Sequence, residues 1–282
     1  MSLALLNNIA ANRAHRSIMT AGSQLTNAIE RLSTGRRINS AKDDAAGVAI
    51  SSKMNAHIRS LGAATINAQS AVSYVETLDG AHQNQYDLLI RMRELAVQGM
   101  TEGTLTSSDR NAMNMEFYQI GSEIDRISDT VQYNGRLIMN HSSTVSVDFQ
   151  VGIMNSDNDR LTLSTDAYHV MGVLVDSAPF NTYSMGTASR AGKALDIIDR
   201  YFIPNLIGLR TNLGAFEQRA KVSMGNLSTY RVNLSAAHSR ITDADVATEM
   251  RNMTTSRMLA DASVSVMSQA NAIPGVVMSL LG

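Results

Sequence analysis

The chain of 282 residues contains no cysteine and no tryptophan, and aromatic residues make up only 5 % of it. Without cysteine it can form neither a disulfide nor a thiolate zinc site, and it has no cysteine nucleophile. Proline occurs only at Pro179, Pro204 and Pro274. Since proline is the residue that most strongly interrupts a helix, nearly the whole chain is free to be helical.

Charge is scarce as well. Asp, Glu, Lys and Arg together make up 17 % of the chain, whereas about 25 % is usual in a soluble domain. The formal net charge is −1, which argues against a nucleic-acid surface, because such a surface would be basic. Hydrophobic residues reach 44 %. Two explanations stay open: part of the surface is hidden in an assembly, or Ser, Thr and Asn replace the charges.

Long hydrophobic runs are also missing. The first residues hold one apolar cluster, 3–6, which is shorter than the hydrophobic core of a secretory signal. The longest apolar stretch, 275–281, is too short to cross a bilayer. We therefore expect no membrane insertion, and either a cytoplasmic location or export by a machinery that uses no cleaved signal.

Helical periodicity begins near the N-terminus. Apolar or small side chains recur at alternating steps of three and four between 11 and 32, which is typical of a coiled-coil seam. Thr34 and Gly35 end this pattern, because glycine commonly closes a helix. The sequence therefore predicts a coiled-coil helix in which Leu25 and Leu32 are packing residues.

A second helical pattern continues to about Gly99, and Ser40 with Asp43 resembles the capping box that starts a helix. At about 1.5 Å per residue, this helix would be roughly 85 Å long. A helix of that length needs a long partner, because most helical stability in proteins comes from packing. A shorter helix is predicted over about 106–131.

The middle of the chain, 136–190, has a different period. Apolar and polar residues alternate from 145 to 151, and again around Leu161 and Leu163, as in a half-buried strand. The residues 155–159 between them are typical of a turn. The sequence therefore predicts a β-hairpin followed by an irregular segment.

Helix resumes near Ala188, and Pro204 should kink or split it. The long seam that follows is a natural partner for the helix over 43–99, in an antiparallel arrangement. Its predicted packing residues are Leu213, Phe216, Leu227, Tyr230 and Leu234.

A last helical pattern begins at Thr242 and Asp245, a second pair that resembles a capping box, and Arg257, Asn271 and Pro274 interrupt its apolar positions. Its predicted seam consists of Val246, Met250, Met253, Ala260, Val264, Met267, Met278 and Leu281. The expected fold class is mainly α: long antiparallel helical rods and terminal coiled-coil helices, with a small β-hairpin region in the middle.

Catalytic motifs are absent from the sequence, including H-E-x-x-H, G-x-S-x-G and the glycine-rich phosphate loops. The six histidines have no metal-ligand spacing, and each is interpreted as a helix-surface or loop residue. Asp243 and Asp245 are a carboxylate pair, but they lie where a helix N-terminus favours negative charge. We expect no enzyme activity, no cofactor and no metal site.

Several segments resemble the conserved signatures of bacterial flagellins. The matching segments at the N-terminal end are 28–35, 37–47, Arg93 to Gln98, 123–127 and 132–135. At the C-terminal end they are 212–215, 239–245 with 247–249, and the ending from 269–271 through Leu280-Leu281. The resemblance covers about 1–140 and 190–282, in the order that the family has.

The resemblance implies a structural subunit that polymerises into the flagellar filament, the helical propeller of swimming bacteria. It divides the chain into an inner coiled-coil domain, 1–42 plus 243–282, and an outer rod domain, 43–242, with 136–190 as its hairpin and loop region. It also implies an extracellular location, reached without a cleaved signal peptide. The implied partners are the chain itself, the flagellar type III export apparatus, an export chaperone, the filament cap and hook-associated junction proteins.

A host partner is implied as well. The matching positions form the surface by which vertebrate Toll-like receptor 5 recognises monomeric flagellin: Arg91, Arg93, Glu94, Leu95, Val97, Gln98 and Glu116. In that role Leu95 would be an apolar anchor and Glu116 a charged acceptor on the adjacent helix. Ile120 stands where many recognised flagellins carry a further arginine. The nearest alternative is a hook–filament junction protein, although the segment from Arg93 to Gln98 favours flagellin.

Overall fold

The computed structural model describes residues 8–139, 145–165, 174–175, 178–180 and 185–281, and confirms the mainly α fold class. The helices are α1 (Ile9–Thr34), α2 (Ala45–Gly99), α3 (Ser107–Thr130), α4 (Ala188–Ile197), α5 (Ile203–Thr242) and α6 (Val246–Leu281). The strands are β1 (Gln132–Tyr133), β2 (Arg136–Leu137), β3 (Val145–Gln150), β4 (Arg160–Thr165), β5 (Leu174–Val175) and β6 (Ala178–Pro179).

The chain divides into two compact units. The first consists of Met1–Ile58 and Val232–Gly282, and the second is Arg59–Arg231. Helices α2 and α5 each contribute residues to both units.

In the first unit, α1 packs against α6 in an antiparallel pair. Asn8, which caps the start of α1, also donates from Nδ2 to the carbonyl oxygen of Ala270 at 2.8 Å, and Arg31 near the other end of α1 contacts Glu249. The buried residues of α1 are Ala14, Ala21 and Ala28, with Leu25 and Leu32 half-buried on the same face. The coiled-coil periodicity predicted for α1 is therefore confirmed.

The two connections of this unit are hydrogen-bonded to each other. Arg36 and Asp243 form an antiparallel β-bridge, in which the backbone N–H of Arg37 donates to Thr242 O at 2.7 Å. The N–H of Ala244 donates to Gly35 O at 2.9 Å. Gly35 closes α1 in the left-handed region at φ 69°, as its position after the periodic segment predicted.

Both predicted capping boxes are wrong, because other side-chain contacts cap the two helices. The hydroxyl of Ser40 donates to Asp43 within a turn, and α2 begins only at Ala45, where the carboxylate of Asp44 accepts from the N–H of Gly47. An aspartate side chain placed directly before the helix can reach the free N–H groups of the first turn, which a serine already bonded elsewhere cannot.

The same correction applies to the last helix. Thr242 is the final residue of α5, and its hydroxyl donates to the backbone oxygen of His238. The carboxylate of Asp245 instead accepts from the N–H of Ala247 at 3.0 Å and caps α6. Aspartate also suits this position because its negative charge interacts favourably with the positive end of the helix dipole.

The second unit has two apolar clusters. One surrounds Phe117, Phe180 and Phe202, and brings together α2, α3, α4 and the start of α5. The other packs α2 residues such as Val75 and Leu78 against Leu213 and Phe216 of α5, and against the β-hairpin. The α2–α5 partnership predicted from the two seams is therefore present in this unit.

The predicted β-hairpin is confirmed. Strands β3 and β4 pair antiparallel, with Val147 opposite Leu163 and Phe149 opposite Leu161, so the alternating apolar residues share one face. A single 3₁₀ turn, Asp157–Asp159, lies between the strands where a turn was predicted. Two smaller hairpins, β1 with β2 and β5 with β6, complete the strand pairs of the described residues.

The two prolines within helical segments behave differently. A π-helix, Ile198–Phe202, separates α4 from α5 directly before Pro204, so the predicted interruption is present. Proline has no N–H to donate to the preceding turn, and a local widening of the helix accommodates that loss. Helix α6 continues through Pro274 to Leu281, as the apolar positions predicted on both sides of this proline indicated.

Candidate functional site

Within the described residues, no group of three or more His, Cys, Asp or Glu side chains is placed to hold a metal ion. No described helix is long and apolar enough to cross a membrane.

The inward face of α6 differs from its predicted seam. The buried or half-buried residues that face α1 recur at steps of four and three: Glu249, Met253, Ser256, Ala260, Ser263, Met267 and Ala270. Met253, Ala260 and Met267 were predicted to lie there. Val264 is 50 % exposed, and Val246 and Met250 are also exposed, so these three lie off the seam. The side chains of Met278 and Leu281 lie outside the described residues.

Helix α6 therefore carries apolar side chains outside its seam as well. Those exposed to solvent are Val246, Met250, Met258, Leu259, Val264, Val266 and Ile273. An open groove of about 820 Å³ runs between α1 and α6, lined on the α1 side by Ile9 and Ala14 and on the α6 side by Leu259 and Val266. Exposed apolar side chains beside an open groove commonly mark an interaction site.

The predicted packing residues of α5 do not share one environment. Leu213, Phe216 and Leu227 are buried, and the ring of Phe216 lies 6.0 Å from that of Phe149. Leu234 is half-buried. Tyr230 is 49 % exposed and does not pack as predicted, since the tyrosine lies off the side of α5 that its buried residues share.

Arg91 connects α2 to α3. Its guanidinium donates from Nε to Oε1 of Glu116 at 2.9 Å and from an Nη to Oε2 of Glu94 at 3.0 Å. The hydrogen bond to Glu116, followed by that to Glu94, raises the pKa of Arg91 above its ordinary value. The sequence-predicted residues Arg91, Glu94 and Glu116 are thus brought together on one exposed surface.

Arg93 lies on the same helix and makes a pair of its own. It contacts both carboxylate oxygens of Asp199, Nε to Oδ1 at 2.7 Å and Nη to Oδ2 at 3.2 Å. Sequence reasoning missed Asp199, because it lies 106 positions away in the π-helix and belongs to no motif. A bidentate pair of this kind fixes the orientation of the guanidinium plane.

Leu95 is placed differently from its neighbours in the predicted receptor surface. It is only 1 % exposed, and packs in the apolar cluster that includes Phe117. Val97 and Gln98 are exposed. In this conformation Leu95 cannot be the apolar anchor of a surface contact, because it lies three residues after the buried Met92, on the same inward face of α2. Val97 is the exposed apolar residue of the segment.

A buried polar group in α2 was also missed. His82 is 1 % exposed, so its interpretation as a surface or loop residue is wrong. Gln85 donates from Nε2 to Ile124 O and to the hydroxyl of Ser128, which leaves its Oε1 to accept from Nδ1–H of His82 at 2.9 Å. Desolvation by burial lowers the pKa of His82, while the bond to Gln85 and the charge of Asp79 act in the opposite direction.

Comparison with known proteins identifies the family of the chain. The family model of the bacterial flagellin N-terminal helical region matches residues 5–144, and that of the C-terminal helical region matches 195–281. A flagellin of Halalkalibacterium halodurans is 38 % identical over 274 residues, covering 97 % of this chain and 98 % of that protein. A flagellin of Listeria monocytogenes and the flagellar filament 33 kDa core protein of Treponema phagedenis are each 31 % identical over 283 residues, with the same coverage.

Proposed function

We propose, from the premise that the chain belongs to the bacterial flagellin family, that its two terminal helices are the parts through which it polymerises. The chain is a structural subunit of the flagellar filament. The observation that carries the proposal is the set of exposed apolar side chains on α6, together with the groove between α6 and α1. Copies of the same chain would bury these surfaces.

The proposed domains follow this assignment. Residues 1–42 with 243–282 form the inner coiled-coil domain, and 43–242 form the outer rod domain, whose hairpin and loop region is 136–190. In the free monomer the terminal domain is proposed to be disordered and to fold on assembly. A helix pair with small residues in its seam buries little apolar area, which offsets its ordering entropy only when neighbouring copies add more.

Truncation tests this proposal. Deleting 1–35 or 245–282 should abolish filaments, seen by electron microscopy under polymerising conditions, while the remaining chain keeps a cooperative thermal unfolding transition. The full-length chain is the positive control. Filaments of normal length and yield from either truncated chain would contradict the proposal.

The export and assembly partners are proposed from the membership of the chain in the flagellin family. The chain is proposed to leave the cell through the flagellar type III export apparatus without a cleaved signal, helped by an export chaperone, and to reside outside the cell in the filament. Hook-associated junction proteins and the filament cap would then contact the first and last copies. A hook–filament junction role would instead give short rings or no polymer in the electron micrographs.

A receptor surface is proposed around Arg91, Glu94 and Glu116, with Arg93, Val97 and Gln98 beside them. What supports it is their shared exposure on α2 and α3. The proposal places Toll-like receptor 5 on the charged groups and on Val97. Leu95 would support this surface from inside the core.

A further inference from the structure

One acidic side chain lies inside the seam between α1 and α6. Glu249 is 7 % exposed and occupies a position where the other seam residues are apolar or small. Its Oε1 accepts from an Nη of Arg31 at 3.2 Å, and its Oε2 accepts from Nδ2 of Asn252 at 3.4 Å. A carboxylate placed there is tolerated only while it is paired, because an unpartnered buried charge strongly destabilises a fold.

The rest of the seam repeats itself. The buried residues of α1 are three alanines spaced seven apart, Ala14, Ala21 and Ala28. On α6 the corresponding positions Ser256 and Ser263 are identical and also seven apart. A slip of one heptad would therefore bring nearly equivalent small residues face to face, and packing alone distinguishes the two alignments weakly.

We propose that the Arg31–Glu249 pair sets the axial register of the α1–α6 coiled coil and thereby selects the correct helix pairing during filament assembly. In an alignment slipped by one heptad, Glu249 would face Gln24 or Ile38 in place of Arg31 and lose its cation. A pair of two α1 helices, or of two α6 helices, would lack one member of this ion pair. This inference goes beyond the filament function of the chain but applies to the same helices.

A second element could fix the register instead. The β-bridge between Arg36 and Asp243 joins the two connections close to this end of the pair. The experiment must therefore separate the charged pair from the bridge. A chain without cysteine suits disulfide mapping, because introduced cysteines meet no background thiol.

The test places one cysteine at Ala14 and a second at Ser263, Ser256 or Ala270. Ala14 and Ser263 line the same groove and report the native register, whereas positions seven residues away on α6 report a slip in either direction. Each double-cysteine chain is assembled into filaments, oxidised, and run on a denaturing gel, where an intramolecular bond gives a fast monomer and an intermolecular one gives a dimer. Ala14→Cys alone measures chance contacts.

In the chain with the native pair, the 14–263 bond should dominate. Arg31→Gln should lower the ratio of the 14–263 product to the slipped products by at least about tenfold, because it leaves Glu249 buried without its cation. Glu249→Gln should lower the ratio less, by about threefold, because it leaves only the partly exposed Arg31 without a partner. Arg251→Gln, which removes an exposed charge close to Arg31 and Glu249, should leave the ratio unchanged. Glu249→Arg should abolish the native product, and adding Arg31→Glu should restore it.

An unchanged ratio in both glutamine variants would overturn the proposal and assign the register to the β-bridge and packing. Failure of the reversed pair to restore the native product would also overturn it. Filaments from the unsubstituted chain establish polymerisation separately, so a negative result here leaves the filament function intact.

Discussion

The ring of Phe202 meets the ring of Phe180 edge-on, with centroids 4.8 Å apart and an interplanar angle of 75°. Both side chains are fully buried, and they join the end of the π-helix to the segment before α4. Edge-to-face contact suits the charge distribution of two aromatic rings. The interruption before Pro204 thus lies within the core of the second unit, where it directs Phe202 inward.

Phe202→Ala should therefore destabilise the second unit strongly. Removing a buried phenylalanine costs about 3–5 kcal/mol in unfolding free energy, because it loses apolar burial and leaves a cavity. Urea unfolding of the monomer measures the change. Tyr201→Ala is the matched control, since Tyr201 is the exposed neighbour in the same π-helix and should change stability by less than about 1 kcal/mol. Equal effects of the two variants would contradict the assignment.

Leu227→Ala tests the packing of α5 farther along the helix. Leu227 is buried, so its truncation should lower the unfolding free energy by about 2–5 kcal/mol. Val222→Ala serves as the control because Val222 lies on the exposed side of the same helix. Thermal unfolding of Leu227→Ala that matches the unsubstituted chain would show that this part of α5 is not packed in solution.

Sequence periodicity predicted a helix well where a capping motif and the apolar period indicated the same starting residue. The side chain of Thr106 accepts from the N–H of Asp109 in a complete capping box, and α3 begins directly after Thr106, at Ser107. The inward face of α6 could not be predicted from the sequence, because Val246, Met250 and Val264 are apolar residues on the exposed side. Periodicity identifies a buried face only where the opposite face is polar.

The candidate surface was predictable only in part, for a different reason. A motif on one helix identified Arg93, but its partner Asp199 comes from a distant segment. The burial of Leu95 depends on how α2, α3 and α4 meet, which no local pattern encodes. Contacts between distant segments are set by tertiary packing, so they were available only from the structure.

Acid should weaken the second unit through His82. Burial lowers the pKa of His82 in the folded chain, whereas in the unfolded chain the pKa of a histidine is about 6.5. At a pH between these two pKa values, the unfolded chain binds a proton that the folded chain does not. The free energy of unfolding is therefore highest above the pKa of the unfolded chain, and it falls as the pH falls toward the pKa of the folded chain. Asp79 and Arg210 are the charged groups that act on the imidazole, with opposing signs.

Urea unfolding at pH 7 and pH 5 measures this dependence. The loss of stability between the two pH values should be smaller in His82→Gln than in the unsubstituted chain. His57→Gln is the control, because His57 is exposed on the same helix and should leave the pH dependence unchanged. An identical pH dependence in His82→Gln would rule out His82 as its source.

Arg91→Ala should lower the response of a Toll-like receptor 5 reporter to monomeric chain. The substitution removes the donor to Glu94 and Glu116 and takes away a charge from the proposed surface. Arg126→Ala is matched to it, since Arg126 is also an exposed arginine paired three residues along its helix, with Glu123. The receptor proposal fails if the unsubstituted monomer gives no response or if both variants reduce it equally.

Two glycine-to-alanine substitutions in the second unit should have opposite signs. Gly135 adopts φ 77° in the turn between β1 and β2, a conformation that alanine rarely adopts, so Gly135→Ala should destabilise by about 1 kcal/mol or more. Gly80 lies within α2 at an exposed position, and Gly80→Ala should stabilise by about 0.5–1 kcal/mol because alanine favours the helix. A Cβ at either position meets no atom within 4 Å, so backbone conformation alone decides the sign. Urea unfolding of the two variants measures both changes, and a stabilising Gly135→Ala would show that the turn differs in solution.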